Sequence, residues 1–205
     1  MSHVLSKSPW PFYDSDEINL VTKILQSGKV NYWTGDIGSE FEASFSKWCG
    51  TKYSLSLANG TLALDAAYRS FKLTPFDEVI TTPRTFVATS STLLNLKLKP
   101  IFADVDEQSG NITPETIEPL ITSKTKAISV VHLGGWPADM ISINKLARTY
   151  NLKVIEDCSQ AHGAAINGKN VGSFGDVGTW SFCQDKIIST GGEGGMVTTS
   201  NEVIA

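Results

Sequence analysis

Short strand-like segments alternate with helical segments along most of this chain, and this alternation constrains the fold more than any other feature. Strand-like segments cover residues 53–58, 78–81, 100–103, 126–131 and 152–155, with helical patterns between them at 60–71, 86–96, 114–121 and 140–150. Strands connected through helices pair in parallel, because each crossover helix returns the chain to the starting edge of the sheet. We therefore expect an α/β fold, a mainly parallel sheet flanked by helices.

Both ends of the chain depart from this alternation. Before the first strand, two helical patterns end at Gly28 and Gly50, so residues 1–50 are interpreted as an N-terminal helical segment. Near the other end, two strand-like segments, 178–182 and 195–199, follow each other without a long helix between them. A short connection predicts one antiparallel strand near the end of the sheet. No linker divides the chain, so a single domain over residues 1–205 is the simplest expectation.

Charge and composition exclude several classes of function. The formal net charge is -4, and the lysines and arginines form no basic stripe, which argues against a nucleic-acid partner. No apolar run reaches the roughly 20 residues that a membrane span needs. The N-terminus lacks the apolar core of a signal peptide, and the three cysteines form no closely spaced pair. These features predict reduced thiols and a cytoplasmic location.

Candidate functional residues follow the carboxyl ends of the predicted strands, where ligands bind in open α/β sheets. Asn59-Gly60-Thr61 is a tight strand-to-helix turn. Glycine allows close approach of the backbone, and the free amides of a helix start attract anions. The turn is therefore either a phosphate site or only a turn, and this feature alone does not decide between the two.

A carboxylate and a lysine occur at two further strand ends. Asp157 follows an apolar strand and could keep a ring nitrogen protonated, or could instead cap the next segment. Lys186 lies among Phe182, Cys183 and the isoleucines that follow it. Desolvation there would make the amine a better nucleophile for Schiff-base formation, whereas the alternative is a surface lysine with a solvated end.

Other patterns in the sequence give weaker indications. The glycine run 191–195 either lets backbone pass close to a ligand or acts as a flexible connector, and its spacing fits neither a dinucleotide fingerprint nor a Walker loop. Cys158 and His162 lie four residues apart, but two ligands do not make a zinc site, and a catalytic pair would need a third group. We therefore predict no metal site.

Taken together, these segments identify a resemblance to a known family. The chain resembles the DegT/DnrJ/EryC1/StrS aminotransferases, which are pyridoxal-phosphate enzymes acting on nucleotide-linked keto-sugars. The resemblance runs in the family's order from about residue 14 onward, through LANGTLALDAA, TPRTFVATSS, PIFADVD, VVHLGGWPADM, VIEDCSQAHGA and SFCQDKIISTGGEGGM. It implies the large domain of the fold type I, aspartate aminotransferase-like transferases.

The resemblance also implies roles for residues around the cofactor ring. Lys186 matches the lysine that forms a Schiff base with pyridoxal phosphate and later transfers a proton. Asp157 matches the carboxylate at the pyridine nitrogen, which keeps the ring an electron sink. Gln160 matches the residue near the phenolic oxygen, and Phe86 matches an aromatic residue that stacks on the ring.

At the other end of the cofactor, the resemblance implies a phosphate site. Gly60 and Thr61 match backbone amides at the cofactor phosphate, and Ser181 matches a hydroxyl ligand of the same phosphate. Relatives that carry histidine in place of the lysine are sugar dehydratases. Lysine at position 186 argues against that branch.

The implied enzyme takes an amino group from glutamate and transfers it to a nucleotide-linked keto-deoxysugar, for surface polysaccharide or lipopolysaccharide. Family members are homodimers with a smaller C-terminal domain that is absent here, and the chain stops at SNEVIA directly after a strand, as if cut. One alternative is therefore a truncated, non-catalytic remnant or interaction module. A nicotinamide-dependent enzyme is a further alternative, which the glycine spacing disfavours.

Overall fold

The structure is a computed structural model that describes residues 10–205. Residues 1–9, the start of the predicted N-terminal segment, lie outside the described residues. Contacts within the chain define two compact units, residues 1–41 and 42–205, and the boundary falls inside the second helix.

The first unit contains helix α1 (Ser15–Ser27) and the beginning of helix α2 (Ile37–Cys49). Asp14 caps α1, because its Oδ1 accepts the backbone N–H groups of Asp16 and Glu17, each at 2.9 Å. The Glu17 carboxylate accepts the N–H of Asp14 at 2.8 Å in return, which completes a capping box. Gly28 ends the helix in the left-handed conformation, as the sequence predicts.

The second unit is built on a seven-stranded sheet. Its strands are β1 (Tyr53–Leu57), β2 (Glu78–Thr81), β3 (Lys99–Phe102), β4 (Thr125–Val131), β5 (Lys153–Asp157), β8 (Val177–Ser181) and β9 (Gly195–Thr199). Two short strands, β6 (Ala165–Ile166) and β7 (Lys169–Asn170), form a separate hairpin.

The strand order is β1-β9-β8-β5-β4-β2-β3. Strand β9 runs antiparallel to both of its neighbours, β1 and β8, whereas the other neighbouring strands pair in parallel. The predicted mainly parallel sheet with one antiparallel member is therefore confirmed. Because β1, β2, β4, β5 and β8 share one direction, their carboxyl ends lie at the same edge of the sheet.

Four helices follow α2: α3 (Gly60–Ser70), α4 (Ala88–Asn95), α5 (Pro114–Ile117) and α6 (Met140–Thr149). The prediction of one continuous helix over residues 114–121 is wrong. The helix begins at Pro114 as predicted, with Thr113 at the N-cap position, but α5 ends at Ile117 and continues only as a 3-10 turn, Glu118–Leu120. Pro119 explains the difference, because it lacks an N–H group and its ring clashes with the preceding turn of an α-helix.

The core lies on both faces of the sheet because successive strand residues point to opposite sides. In β2, Val79 packs with α3 and α4, whereas Ile80 packs with α5 and α6. In β5, Ile155 packs in the same cluster as Val79, whereas Val154 packs in the same cluster as Ile80. The sheet is thus covered by helices on both faces, as the alternation of the sequence predicts.

Two simpler expectations concern membrane spans and thiols. Within residues 10–205, no helix has the length and apolarity needed to cross a membrane. Cys49, Cys158 and Cys183 all carry free thiols. Burial raises the pKa of Cys49 to about 12, and it raises that of Cys158 as well, so both thiols are unreactive at neutral pH.

Candidate active site

A cavity of about 560 Å³ lies at the edge of the sheet where the parallel strands end. The seven residues that the sequence singles out all line it: Gly60, Thr61, Phe86, Asp157, Gln160, Ser181 and Lys186. They come from four segments that are far apart in the chain, at the ends of β1, β2, β5 and β8. The shared strand direction brings them together, which is the arrangement expected at the carboxyl edge of an open α/β sheet.

The start of helix α3 forms one wall of the cavity. Asn59 caps the helix, with its side-chain oxygen accepting the N–H of Leu62 at 2.9 Å, while its carbonyl accepts the N–H of Ala63 at 3.1 Å. The first amides of a helix have no partner within the helix. The N–H groups of Gly60 and Thr61 therefore provide a positively polarised end for an anion.

Two glycines allow three segments to meet beside this helix start. A Cβ atom on Gly60 would lie 2.7 Å from the Cβ of Ser181, at the end of β8. A Cβ atom on Gly195, at the start of the antiparallel strand β9, would collide with the carbonyl oxygen of Asn59. The last glycine of run 191–195 is therefore required by packing of backbone against backbone, a third possibility beside the two that the sequence left open.

Asp157 is the last residue of β5 and is buried. Its Oδ2 accepts the hydroxyl of Thr89 at 2.8 Å, and its Oδ1 accepts the N–H of Ser159 at 3.2 Å. The bond to Ser159 is a local turn of the capping type, so this alternative interpretation is partly correct. It does not consume the carboxylate, which has further lone pairs and lines the cavity.

Thr89 is a site residue that the sequence analysis did not identify. Its hydroxyl links Asp157 to Thr85, whose hydroxyl lies 2.9 Å away. Thr89 is the second residue of α4, whereas Thr85 lies in the connection before the helix, so helical spacing gives no signal for this pair. The contact of Thr89 with Asp157 is decided by the sheet, which brings α4 close to the end of β5.

Lys186 reaches the cavity, but its surroundings differ from those predicted. Its side chain is only 18% exposed, which excludes a fully solvated lysine. However, Ile187 and Ile188 are 55% and 44% exposed and do not form the expected apolar surroundings. The Nζ atom instead lies 2.8 Å from Oδ2 of Asp185, a second residue that the sequence analysis missed.

The Gln160 side chain is oriented by a backbone group. Its Oε1 accepts the N–H of Gly134 at 2.9 Å. Because the amide has one oxygen and one nitrogen, this bond leaves the Nε2 hydrogens as the donors that remain for a ligand in the cavity. Phe86, which precedes α4, also lines the cavity and is 68% exposed.

Behind Asp157, the neighbouring Glu156 is fully buried and serves as an anchor for another segment. Its two oxygens accept the N–H groups of Gly172, Phe174 and Gly175 at 2.8, 2.7 and 2.6 Å. A fourth bond, of 3.1 Å, joins Oε2 to Nε2 of His132. The carboxylate thereby holds the loop before β8 against the end of β5.

His132, Glu156 and Cys158 also bring one potential metal-ligand atom each within 4.8 Å of one another. These atoms already have other partners. Nδ1 of His132 accepts the N–H of Ala138 at 3.1 Å, which makes Nε2 the protonated nitrogen that donates to Glu156. The Cys158 thiol donates to the carbonyl of Glu156 at 3.7 Å. The cluster is thus a hydrogen-bonded network, and the absence of a metal site stays a prediction.

His162 and Cys158 do not form the pair that their spacing allowed, because no helix forms between residues 158 and 162. The His162 ring lies between two buried aromatic residues, with centroid distances of 5.2 Å to Trp180 and 5.4 Å to Phe182. Burial, followed by the charge of Lys186, lowers the pKa of His162 to about 4. The imidazole is therefore neutral at physiological pH.

This fold and this cavity define the large domain of a pyridoxal-phosphate-dependent transferase: a mainly parallel sheet whose carboxyl edge carries a lysine, a buried carboxylate and the start of a helix. Residues 11–205 match the model of the DegT/DnrJ/EryC1/StrS aminotransferase family, and the chain belongs to that family.

Relatives with known structures or assigned activities support this placement. An aminotransferase from Psychrobacter cryohalolentis has a TM-score of 0.95 at 54% identity, over 96% of this chain and 50% of its own. NtdA from Bacillus subtilis, solved with the bound cofactor PMP, has a TM-score of 0.87 at 34% identity, over 98% of this chain and 46% of its own. The dTDP-3-amino-3,6-dideoxy-alpha-D-galactopyranose transaminase of Aneurinibacillus thermoaerophilus is 42% identical over 95% of this chain and 56% of its own length.

The chain spans about half the length of the curated relatives that it matches. The cofactor-binding fold is therefore established for this chain, whereas the activity of a whole enzyme is a matter for proposal.

Proposed function

We propose that this chain is the cofactor-binding part of an aminotransferase that converts a nucleotide-linked keto-deoxysugar to an amino sugar, with glutamate as the amino donor. The observation that carries the proposal is the convergence of Lys186, Asp157 and the start of α3 on one cavity. An amine, a carboxylate and an anion-binding helix start are complementary to the aldehyde, the ring nitrogen and the phosphate of pyridoxal phosphate. The residues present therefore fit this cofactor.

The phosphate end of the cavity is the part most tightly built. The amides of Gly60 and Thr61 and the hydroxyl of Ser181 would hold the phosphate. The missing side chain at Gly60 matters here, because a Cβ would occupy the space against Ser181. This contact allows the dipole of α3 to approach the end of β8, where both groups act on one anion.

The ring would lie between the phosphate end and Gln160. Asp157 would accept a hydrogen bond from the protonated ring nitrogen, and its bond from Thr89 fixes the orientation of the carboxylate. Gln160, whose oxygen is held by Gly134, would donate to the phenolic oxygen. Phe86 would cover one face of the ring and exclude water from it. When bound, pyridoxal phosphate supplies the electron sink for the reaction.

Lys186 would act both as the covalent attachment point and as a general acid and base. Its amine must bond to the cofactor aldehyde in the resting enzyme and must be free to move a proton while the amino group is transferred. The side chain is 18% exposed, so most of it is shielded from bulk water.

The substrates are inferred from the relatives. The transaminase of A. thermoaerophilus carries the name of a dTDP-linked 3-amino sugar, which supports a nucleotide-linked sugar here. Glutamate as donor, a role in surface polysaccharide or lipopolysaccharide, a cytoplasmic location and a homodimer stay predictions.

The covalent attachment gives a direct test. The 205-residue chain, after addition of pyridoxal phosphate, should develop the absorbance of a lysine-linked cofactor, and borohydride reduction should fix the label on Lys186. Lys186→Ala should abolish the label, whereas Lys153→Ala, at a lysine paired with Asp176, should leave it intact. Label on another residue would refute the assignment of Lys186.

A second measurement separates the enzyme from a non-catalytic remnant. Glutamate added to the loaded chain should convert the cofactor to its amine form with release of 2-oxoglutarate. A chain that binds the cofactor at Lys186 but never carries out this half-reaction would favour the remnant.

A further inference from the structure

A carboxylate lies directly beside the reactive amine that the proposed function requires. Asp185 Oδ2 and Lys186 Nζ are 2.8 Å apart, and both residues line the cavity. The pair is unequally exposed, with the lysine side chain 18% and the aspartate side chain 65% accessible. Asp185 is thus the solvent-facing counter-ion of a largely enclosed ammonium group.

The other ionisable groups near this pair do not replace Asp185. Cys183 and Glu193 also line the cavity, and the thiol of Cys183 lies 3.4 Å from Oε1 of Glu193. A hydrogen bond from Lys186, followed by one from Cys183, lowers the pKa of Asp185, so the carboxylate is ionised at neutral pH. Within residues 10–205, the ion pair of Lys186 is formed with Asp185.

We propose, on the basis of the proposed function, that Asp185 is a positioning residue whose carboxylate forms an ion pair with the amine of Lys186 while that amine is not bonded to the cofactor. Bond formation between Lys186 and the cofactor aldehyde requires a neutral amine that is free of this ion pair. The ammonium must release a proton to solvent, the neutral amine then adds to the aldehyde carbon, and one water molecule leaves. Asp185 therefore stabilises the unlinked lysine and opposes its attachment.

This role predicts unequal effects on two forms of the cofactor. Pyridoxal phosphate consumes the free amine, so Asp185→Asn should accelerate and tighten its attachment by about two- to fivefold, the range expected for a partly exposed ion pair. Pyridoxamine phosphate leaves the lysine free both before and after binding, so its affinity should not change. A variant that only disturbed the structure of the cavity would instead weaken the binding of both pyridoxal phosphate and pyridoxamine phosphate.

The first experiment needs no cofactor. The full 205-residue chain is treated with formaldehyde and cyanoborohydride, and mass spectrometry compares methylation of Lys186 with that of Lys153 in the same molecule. Asp185→Asn should raise the Lys186 to Lys153 ratio by about two- to fivefold. Asp65→Asn, which removes an equal charge from an ion pair with Arg69 at 2.6 Å, should leave the ratio unchanged.

The second experiment measures attachment of pyridoxal phosphate and binding of pyridoxamine phosphate to the same three proteins. An unchanged methylation ratio in Asp185→Asn, or equal changes for both cofactor forms, would overturn the role of Asp185. If the ratio rises but the wild-type chain never attaches pyridoxal phosphate, the proposed function fails while the ion-pair role stands.

Discussion

Gly60 and Ser181 meet so closely that a Cβ atom on Gly60 would lie 2.7 Å from the Cβ of Ser181. The contact joins the start of α3 to the end of β8 across the intervening strand β9. Gly60→Ala should destabilise the chain by about 1–3 kcal/mol, the usual cost of overpacking, and should displace the helix start from the phosphate site. Urea unfolding and titration with pyridoxal phosphate measure the two effects.

A compensating variant makes this prediction sharper. Combining Gly60→Ala with Ser181→Gly removes the clash and should recover part of the stability. Cofactor affinity should stay low, because the hydroxyl is lost. Full recovery of affinity in the double variant would exclude Ser181 as a phosphate ligand.

The Thr89 hydroxyl supports the carboxylate of Asp157 through a bond of 2.8 Å. Thr89→Val keeps the shape but removes the donor, so we expect a loss of about 1.5–3 kcal/mol in the free energy of unfolding. Thr92→Val is the matched control, because the buried Thr92 hydroxyl has no hydrogen-bond partner within the described part of the chain. It should be neutral or stabilising in the same denaturation experiment.

The Glu156 carboxylate is fully buried and accepts hydrogen bonds from three backbone N–H groups and the His132 ring. Glu156→Ala leaves all of these donors without a partner, so it should cost at least about 3 kcal/mol in urea unfolding. Glu118→Ala, at an exposed carboxylate that accepts the Tyr150 hydroxyl, should cost less than about 1 kcal/mol. Similar losses in the two variants would contradict the anchoring role of Glu156.

The buried imidazole of His162 predicts a pH dependence of stability. Its pKa is lowered from 6.5 to about 4 in the folded chain, mainly by burial. Between these values the unfolded chain binds a proton that the folded chain does not, so the free energy of unfolding falls as the pH falls from about 6.5 to about 4. Across this window the free energy of unfolding falls by about 3 kcal/mol in total. Above about pH 6.5 the His162 ring is neutral in both the folded and the unfolded chain, so it causes no loss of stability there.

The variant His162→Phe isolates this effect, because it keeps an aromatic ring against Trp180 and Phe182. Carboxylates such as Asp106 and Asp139, whose pKa values are lowered, titrate equally in both proteins. The slope of unfolding free energy against pH between 6.5 and 4.5 should be smaller in the variant. Equal slopes would show that His162 is not the titrating group.

The sequence by itself determined the fold class and the chemically active residue types. Strand and helix periods are local properties, so the alternation alone predicted the sheet and the antiparallel strand β9. The family resemblance selected Gly60, Asp157 and Lys186, and these residues share one cavity. Their roles toward the cofactor still depend on the experiments proposed above.

Tertiary structure decided which atoms these residues touch. Thr89 meets Asp157 because α4 and the end of β5 lie at the same edge of the sheet, although 68 positions separate the two residues. The exposure of the isoleucines beside Lys186, and its pairing with Asp185, likewise depend on how the segment after β8 packs. Strand order and side-chain burial are properties of the whole assembled sheet, and a local sequence pattern therefore does not specify them.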